Sequence, residues 1–116
     1  KTEKFDELEI DGLILDETRS KLGHDFYEFF YNAWSPPKEA QGFIITIREL
    51  PARGRAAQIS VEVNNQPLAK QFLQPRAELI ENLAIQLVDV AKNHLVKMIS
   101  LKKEVLTEDL IGSGIY

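Results

Sequence analysis

The stretch IDGLILDETRSKLGHDFYEFFYNAW, residues Ile10–Trp34, decides the fold because it holds a strand, a turn and a helix in succession. Over Leu8–Leu15 the side chains alternate between two faces, one of which carries no polar side chain, as is typical of a strand. Gly12 is unusual inside a strand and indicates a bulge or a close backbone approach. Asp16 is suited to cap a helix, so we predict that a helix follows over Glu17–Ala33.

This predicted helix is apolar over more of its circumference than one sheet face covers. At about 100° per residue its core face consists of Leu22, Phe26, Phe29, Phe30 and Ala33. Tyr27, Tyr31 and Trp34 form a second arc beside that face, and together the two arcs span about 200°, wider than the stripe of most surface helices. Either another part of the chain covers these three aromatic side chains, or another molecule does.

Three more strands joined by short loops are expected after the helix ends at the Pro36-Pro37 pair, over Phe43–Glu49, Gln58–Val63 and Leu68–Leu73. A long helix from Arg76 to about Lys102 follows them. The sequence therefore predicts an α+β fold: strand, helix, three-stranded antiparallel meander, long helix, with the helices packed on one face of the sheet. The first strand should pair with a strand of the meander, because its backbone groups need partners. We expect a frayed N-terminus over 1–7, one domain over 8–103 and a flexible tail over 104–116.

The composition excludes several classes of function. The net charge is −4, and no cluster of basic residues exceeds Lys102-Lys103, so the chain lacks the basic stripe of a nucleic-acid binder. No apolar run approaches the ~20 residues of a membrane span. The chain has no cysteine, which rules out thiol catalysis, disulfides and thiolate metal sites.

Candidate catalytic or metal-binding residues are few. His24 and Asp25 are adjacent on the predicted helix, so their side chains diverge, whereas Glu28 is placed to pair with His24. One His–Glu pair without a third ligand is a weak metal signal. His94 lies within the apolar arc of the last helix, where a core-edge histidine is the usual interpretation. We therefore predict no catalytic residue, no metal and no cofactor, and a structural role for Gly23-His24-Asp25.

A longer motif resembles one protein family. In order, the chain carries Ile10, Gly12, Leu13, Asp16, Thr18, Leu22, Gly23, His24, Asp25, Phe26, Tyr27, Phe30 and Trp34. Two later blocks contain Thr46, Ile47, Glu49 and Pro51, and then Val63, Asn64, Phe72, Leu73 and Pro75. Together these residues resemble the curli production assembly/transport component CsgE family, and the resemblance extends over about residues 8–100.

The resemblance implies a function without a chemical reaction. Members of this family are exported to the periplasm, although no signal peptide is visible in this chain. They form homo-oligomeric rings that cap the outer-membrane curli secretion channel, bind the unfolded curli subunit, guide it to export and delay its fibrillation. The chain is then expected to have no cofactor, no nucleic-acid partner and no membrane span.

The motif and the width of the aromatic arc together indicate which residues matter. The structural motif comprises Gly12, Gly23, His24, Asp25 and Phe26. The residues expected to contact the channel, the client or a second subunit are Tyr27, Tyr31, Trp34, Arg53 and Arg55. Some relatives carry tryptophans after the Glu-x-Pro block, where this chain has Arg55 and Gln58, so a subunit contact made there would differ in this protein.

Two other classes of function remain open at this point. The first alternative is a small-molecule-binding domain whose pocket uses the arc of Tyr27, Tyr31 and Trp34, and a cavity beside those rings would favour it. The second is a hydrolase-like enzyme that uses His24 with an acidic residue. It requires a third catalytic group within hydrogen-bond reach of His24.

Overall fold

The computed structural model describes residues 12–51 and 56–115, and beyond residue 105 it describes the backbone alone. The predictions for residues 1–7 and for the start of the first strand therefore lie outside the described residues. In chain order the elements are β1 (Gly12–Glu17), α1 (Lys21–Ala33), β2 (Phe43–Leu50), β3 (Ala57–Val63), β4 (Gln66–Leu73) and α2 (Ala77–Ile115).

The four strands form one mixed sheet in the order β1-β2-β3-β4. The three later strands are antiparallel to one another, which confirms the predicted meander. β1 pairs with β2, as predicted for a meander strand, and the pairing is parallel, with Ile14 opposite Ile45. A parallel pair needs a long crossover, and α1 supplies it. The predicted α+β fold is thus confirmed.

The core lies between one face of the sheet and both helices. Alternate residues of the central strands, such as Ile45, Ile47 and Ile59, are fully buried, and they share a single cluster with Phe26 of α1 and Leu87 of α2. The two helices also pack against each other. The period of two along each strand therefore directs one set of side chains under the helices and the other set to the face opposite the helices, called the open face, on which Thr46, Ser60 and Glu62 of the central strands are nevertheless buried.

Three backbone positions with positive φ shape the sheet. At the Asn64-Asn65 turn the φ angles are 51° and 70°, a left-handed conformation that asparagine tolerates, and the Asn64 side chain accepts a hydrogen bond from the Ile44 N–H at 2.9 Å. Gly12 has a φ of 134°, and a Cβ there would lie 2.6 Å from the ring of Phe43. The close approach at Gly12 is thus made by the aromatic side chain of the paired strand and not, as the sequence predicted, by backbone.

The first helix begins later than predicted. Asp16 and Glu17 belong to β1, where they pair with Ile47 and Arg48, so Asp16 is not the N-cap. The N-cap is Ser20, whose hydroxyl accepts a hydrogen bond from the Gly23 N–H at 3.0 Å. The prediction failed because strand pairing to a distant segment outweighs a local capping signal.

The last helix also continues further than predicted. α2 is helical to Ile115 instead of ending near Lys102. Its fully buried face ends at Leu95, whereas Leu101 and Val105 are at least half exposed, so its last turns extend past the core of the domain. Flexibility of the predicted tail over 104–116, and the limits of the predicted domain over 8–103, stay predictions.

Candidate functional site

The motif residues around His24 form a polar cluster at the junction of β1 and α1. One oxygen of Asp16 accepts hydrogen bonds from the Thr18 N–H at 3.0 Å and from the Thr18 hydroxyl at 2.6 Å. The other lies 3.2 Å from His24 Nδ1, and a carboxylate oxygen of Glu28 lies 3.4 Å from His24 Nε2. The imidazole also stacks on the ring of Tyr27. His24 thus sits between one carboxylate from β1 and one from α1, an arrangement suited to holding the helix start.

Glu49, on β2, anchors the entry to α1. Its carboxylate accepts hydrogen bonds from the backbone N–H groups of Arg19 at 2.7 Å and Ser20 at 2.8 Å. Partial burial opposes ionisation of Glu49, but the donors from Ser20 and Arg19 and the Arg19 charge outweigh it and hold the pKa of Glu49 below its usual value. An ionised carboxylate therefore satisfies N–H groups just ahead of the helix.

Gly23 is glycine because the Glu49 carboxylate approaches it closely. A Cβ at this position would collide with Glu49 Oε1 and would lie 3.2 Å from Thr18 Cβ. The next motif residues lie elsewhere. The Asp25 carboxylate pairs with Lys21 at 3.1 Å on the surface, whereas Phe26 is fully buried in the core. The structure therefore brings Gly23 and His24 into the junction and places Asp25 and Phe26 outside it.

The predicted contact arc on α1 is largely covered by the chain itself. Tyr27 is 2% exposed and Trp34 is 4% exposed. The Trp34 ring stacks on Phe30 at a centroid distance of 5.9 Å and meets the edge of Phe43 at 5.8 Å. Burial, followed by the nearby negative charges, raises the pKa of Tyr27 well above its usual range. Tyr31 is partly exposed and packs against Tyr27. For Tyr27 and Trp34 the structure thus favours the core interpretation of this arc, and their contact role stays a prediction.

Arg53 and Arg55, the other expected contact residues, lie outside the described residues. The end of β2 and the segment that leads into α1 form a shallow groove of mixed charge that includes Arg19, Arg48 and Glu49. A second groove lies between β4 and α2. Neither groove is lined by Tyr27, Tyr31 or Trp34, so neither supports a small-molecule pocket at that arc.

The open face of the sheet carries features to which sequence reasoning gave no role. Arg48 bridges two carboxylates, with Glu17 at 2.6 Å and Glu62 at 3.1 Å, and both pairs raise the pKa of Arg48, the bond to Glu62 most. On the same face Leu15 and Ile44 are more than a third exposed. The alternation of apolar and polar residues could have predicted which side chains lie on this face. It could not have predicted that Arg48 pairs with Glu17 and Glu62, because cross-strand pairs depend on the register of the strands.

The part of the chain that the structure describes has neither a cluster of metal ligands nor a helix that could span a membrane. Within 12–51 and 56–115, no three His, Cys, Asp or Glu side chains lie close enough together to hold a metal ion. In the same part of the chain, no helix has both the length and the apolar character needed to cross a membrane.

Comparison with known proteins identifies relatives. The protein-family model described as "Curli assembly protein CsgE" matches residues 10–112. A curli production assembly/transport component CsgE of Escherichia coli O6:H1 is 35% identical over 69 residues, which cover 60% of this chain and 51% of the relative. That of Salmonella typhi is 30% identical over 79 residues, or 68% of this chain and 58% of the relative. The chain thus spans little more than half the length of these curated relatives. The matches confirm the resemblance noted from the motif.

Proposed function

Because the chain belongs to the CsgE family of curli assembly proteins, we propose that it is a non-enzymatic component of curli secretion. The observation that carries this proposal is the family match over residues 10–112, which includes every described strand and all of α1. Three motif residues within the match also stabilise the same junction. Asp16 pairs with His24 and Glu49 accepts a hydrogen bond from the Arg19 N–H, and these contacts hold β1, α1 and β2 together.

In its finer form, the proposal makes the protein a periplasmic adaptor. It is exported, assembles into a homo-oligomeric ring and caps the outer-membrane curli secretion channel. It binds the unfolded curli subunit weakly at several equivalent sites, guides it to export and delays its fibrillation. Weak sites repeated around a ring raise the effective concentration of client at the channel mouth without a deep pocket. A factor that covers strand-forming segments hinders the templated strand addition by which such fibres grow.

Exposed apolar side chains support a role in contacts with other chains. On the open face of the sheet and its edge these are Leu15, Ile44 and Phe72. On α2 they are Ile85, Val90, Val96, Met98, Leu101 and Val105. Contiguous exposed apolar surface is characteristic of interaction sites, and the helical spacing of Met98, Leu101 and Val105 puts these three on one face of α2. We propose that these surfaces, together with the partly exposed Tyr31, make the contacts that the sequence assigned to the whole aromatic arc.

The first experiment measures assembly and channel binding. The solution mass of the purified protein, from light scattering, should exceed that of one chain, and it should rise further when the detergent-solubilised channel is added. With the channel in vesicles, adding the protein should reduce the flux of small solutes. A mass of one chain under both conditions, with unchanged flux, would refute the adaptor proposal.

A matched pair of variants then tests the end of α2. Serine at Met98, Leu101 and Val105 should lower the mass of the assembly while helix content by circular dichroism stays near that of the wild type. The control replaces Lys97 and Glu104, two exposed polar residues of the same segment, by serine, and it should leave the mass unchanged. Equal masses for both variants would place the subunit contacts elsewhere.

A second experiment concerns the client. Substoichiometric protein should lengthen the lag before the cognate curli subunit forms fibres, followed with an amyloid-binding dye. An unrelated protein of similar size and net charge serves as the control. An unchanged lag at equimolar protein would contradict the client-holding part of the proposal and leave the channel-binding part to the first experiment.

A further inference from the structure

The groove between β4 and α2 has a distinctive chemical character. It lies between the end of β4 and the first turns of α2, has a volume of about 320 Å³, and no charged side chain is among its described lining residues. Four of its side chains are carboxamides, and all four are exposed: Gln71, Gln74, Asn82 and Gln86. Leu79 and Leu83, both half-buried, give it an apolar floor.

The carboxamides are available to a ligand. None of the four side chains hydrogen-bonds to another group within the described residues. Each offers two N–H donors and one carbonyl acceptor, the same chemical groups that a peptide backbone or another carboxamide presents. An uncharged lining also disfavours a charged ligand, whose desolvation in this groove would find no compensating charge. The lining therefore complements an uncharged, hydrogen-bonding chain.

The adjacent strand edge provides a second, independent reason. β4 is the last strand in the sheet order, and among residues 12–51 and 56–115 only β3 pairs with it, so no described strand occupies its other edge. Pro67, near the start of β4, has no N–H to donate. Another strand should therefore pair better with the end of β4, which lies beside the groove. Phe72 in this part of β4 is 60% exposed and would lie against an added chain.

We propose that this groove binds an extended, uncharged segment of an unfolded polypeptide, which adds to β4 as a further strand and pairs its own carboxamide side chains with those of the groove. This inference rests on the proposed function, in which the protein holds an unfolded client, and it adds the place and the chemical class of the bound segment. Backbone hydrogen bonds to β4 provide affinity, and the amides provide selectivity against charged segments.

The test uses synthetic peptides and the full chain. A capped, dye-labelled nonapeptide that alternates glutamine with valine is titrated with the protein, and binding is followed by fluorescence anisotropy. Two control peptides carry either glutamate in place of each glutamine or N-methyl groups on alternate backbone nitrogens. Each should bind about tenfold more weakly, because the first introduces charge and the second prevents strand pairing. Equal binding of the N-methylated peptide would overturn strand addition at β4.

Replacing two carboxamides of the groove by carboxylates tests whether the peptide binds at this groove. The double variant Gln71→Glu, Gln86→Glu should bind the glutamine peptide about 2- to 13-fold more weakly per lost hydrogen bond, the equivalent of ~0.5–1.5 kcal/mol. It should gain affinity for a version of the peptide that carries lysine. The control, Gln41→Glu, changes an exposed amide in the loop before β2, outside both β4 and the groove, and should leave both affinities unchanged. Identical peptide affinities of the double variant and the wild type would overturn the proposal.

The groove proposal and the adaptor proposal can fail independently of each other. If the glutamine peptide fails to bind while the wild type still binds the channel and delays fibrillation, the groove proposal fails and the adaptor proposal stands. If the double variant instead has a lower solution mass than the wild type, the occupant of the groove is a second copy of this chain, and the client assignment is overturned.

Discussion

Replacing Trp34 by alanine should destabilise the fold, because the side chain is almost completely buried. A tryptophan buries roughly 200 Å² on folding, and at about 25 cal/mol per Å² its burial contributes about 5 kcal/mol. Its ring contacts with Phe30 and Phe43 add about 1–3 kcal/mol in total. The indole N–H opposes these terms, since it is buried without a hydrogen-bond partner in the described residues, at a cost of about 1–3 kcal/mol. We expect Trp34→Ala to lower the free energy of unfolding by about 3–5 kcal/mol.

The assay is urea unfolding followed by far-UV circular dichroism, since Trp34 is the only tryptophan and its fluorescence is lost in the variant. Trp34→Phe is the matched control. It keeps an aromatic ring on Phe30 and removes the unpartnered N–H, so it should remain within about 1.5 kcal/mol of the wild type. If Trp34→Ala unfolds at the wild-type urea concentration while the assembly mass falls, Trp34 is a contact residue and its assignment to the core is wrong.

Three further predictions concern the β1–α1 junction. Gly23→Ala should lower the free energy of unfolding by about 1–3 kcal/mol in urea titrations, because the new Cβ collides with the Glu49 carboxylate, whereas Asn32→Ala on the exposed side of α1 should not destabilise the protein. The pKa of Glu49 is lower in the fold than the ordinary 4.5, so its ionised form stabilises the fold above that value, and this stabilisation is lost as the pH falls through the folded-state pKa. Glu49→Gln should thus be less stable than the wild type by about 1 kcal/mol at pH 7, and the difference should shrink below pH 4.5; a difference independent of pH would contradict the anchoring role. His24→Asn should lower the free energy of unfolding by about 1 kcal/mol or less, because the imidazole is half exposed, and a small drop in melting temperature would report this. Tight, stoichiometric binding of a metal by the wild type, purified without added metal, would contradict the structural role.

The sequence was sufficient wherever the signal is local. Alternation over Gln58–Val63 predicts which side chains of β3 lie under the helices, because the period of two is a property of the strand itself. The Asn64-Asn65 turn depends on the tolerance of asparagine for positive φ, and the structure has it there. The motif from Ile10 to Trp34, together with the two later blocks up to Pro75, was likewise enough to indicate the family.

The sequence was insufficient wherever a residue depends on a distant partner. The helix starts at Lys21 instead of Glu17 because β1 pairs with β2 and Glu49 accepts the N–H groups of Arg19 and Ser20, and that carboxylate is about 30 positions away along the chain. Helical periodicity gave the width of the aromatic arc on α1 but not what covers it.

Only the tertiary structure decided that Trp34 packs on Phe43 of β2, and that the amides of β4 and α2 line one groove. Residues 71 and 86 share no element and no short-range signal, so nothing in the order of amino acids places them together. The local pattern therefore determined the elements and the family, because periodicity and capping act within a few residues. Which surfaces are covered and which remain open was decided by the packing of those elements, because burial depends on the whole chain.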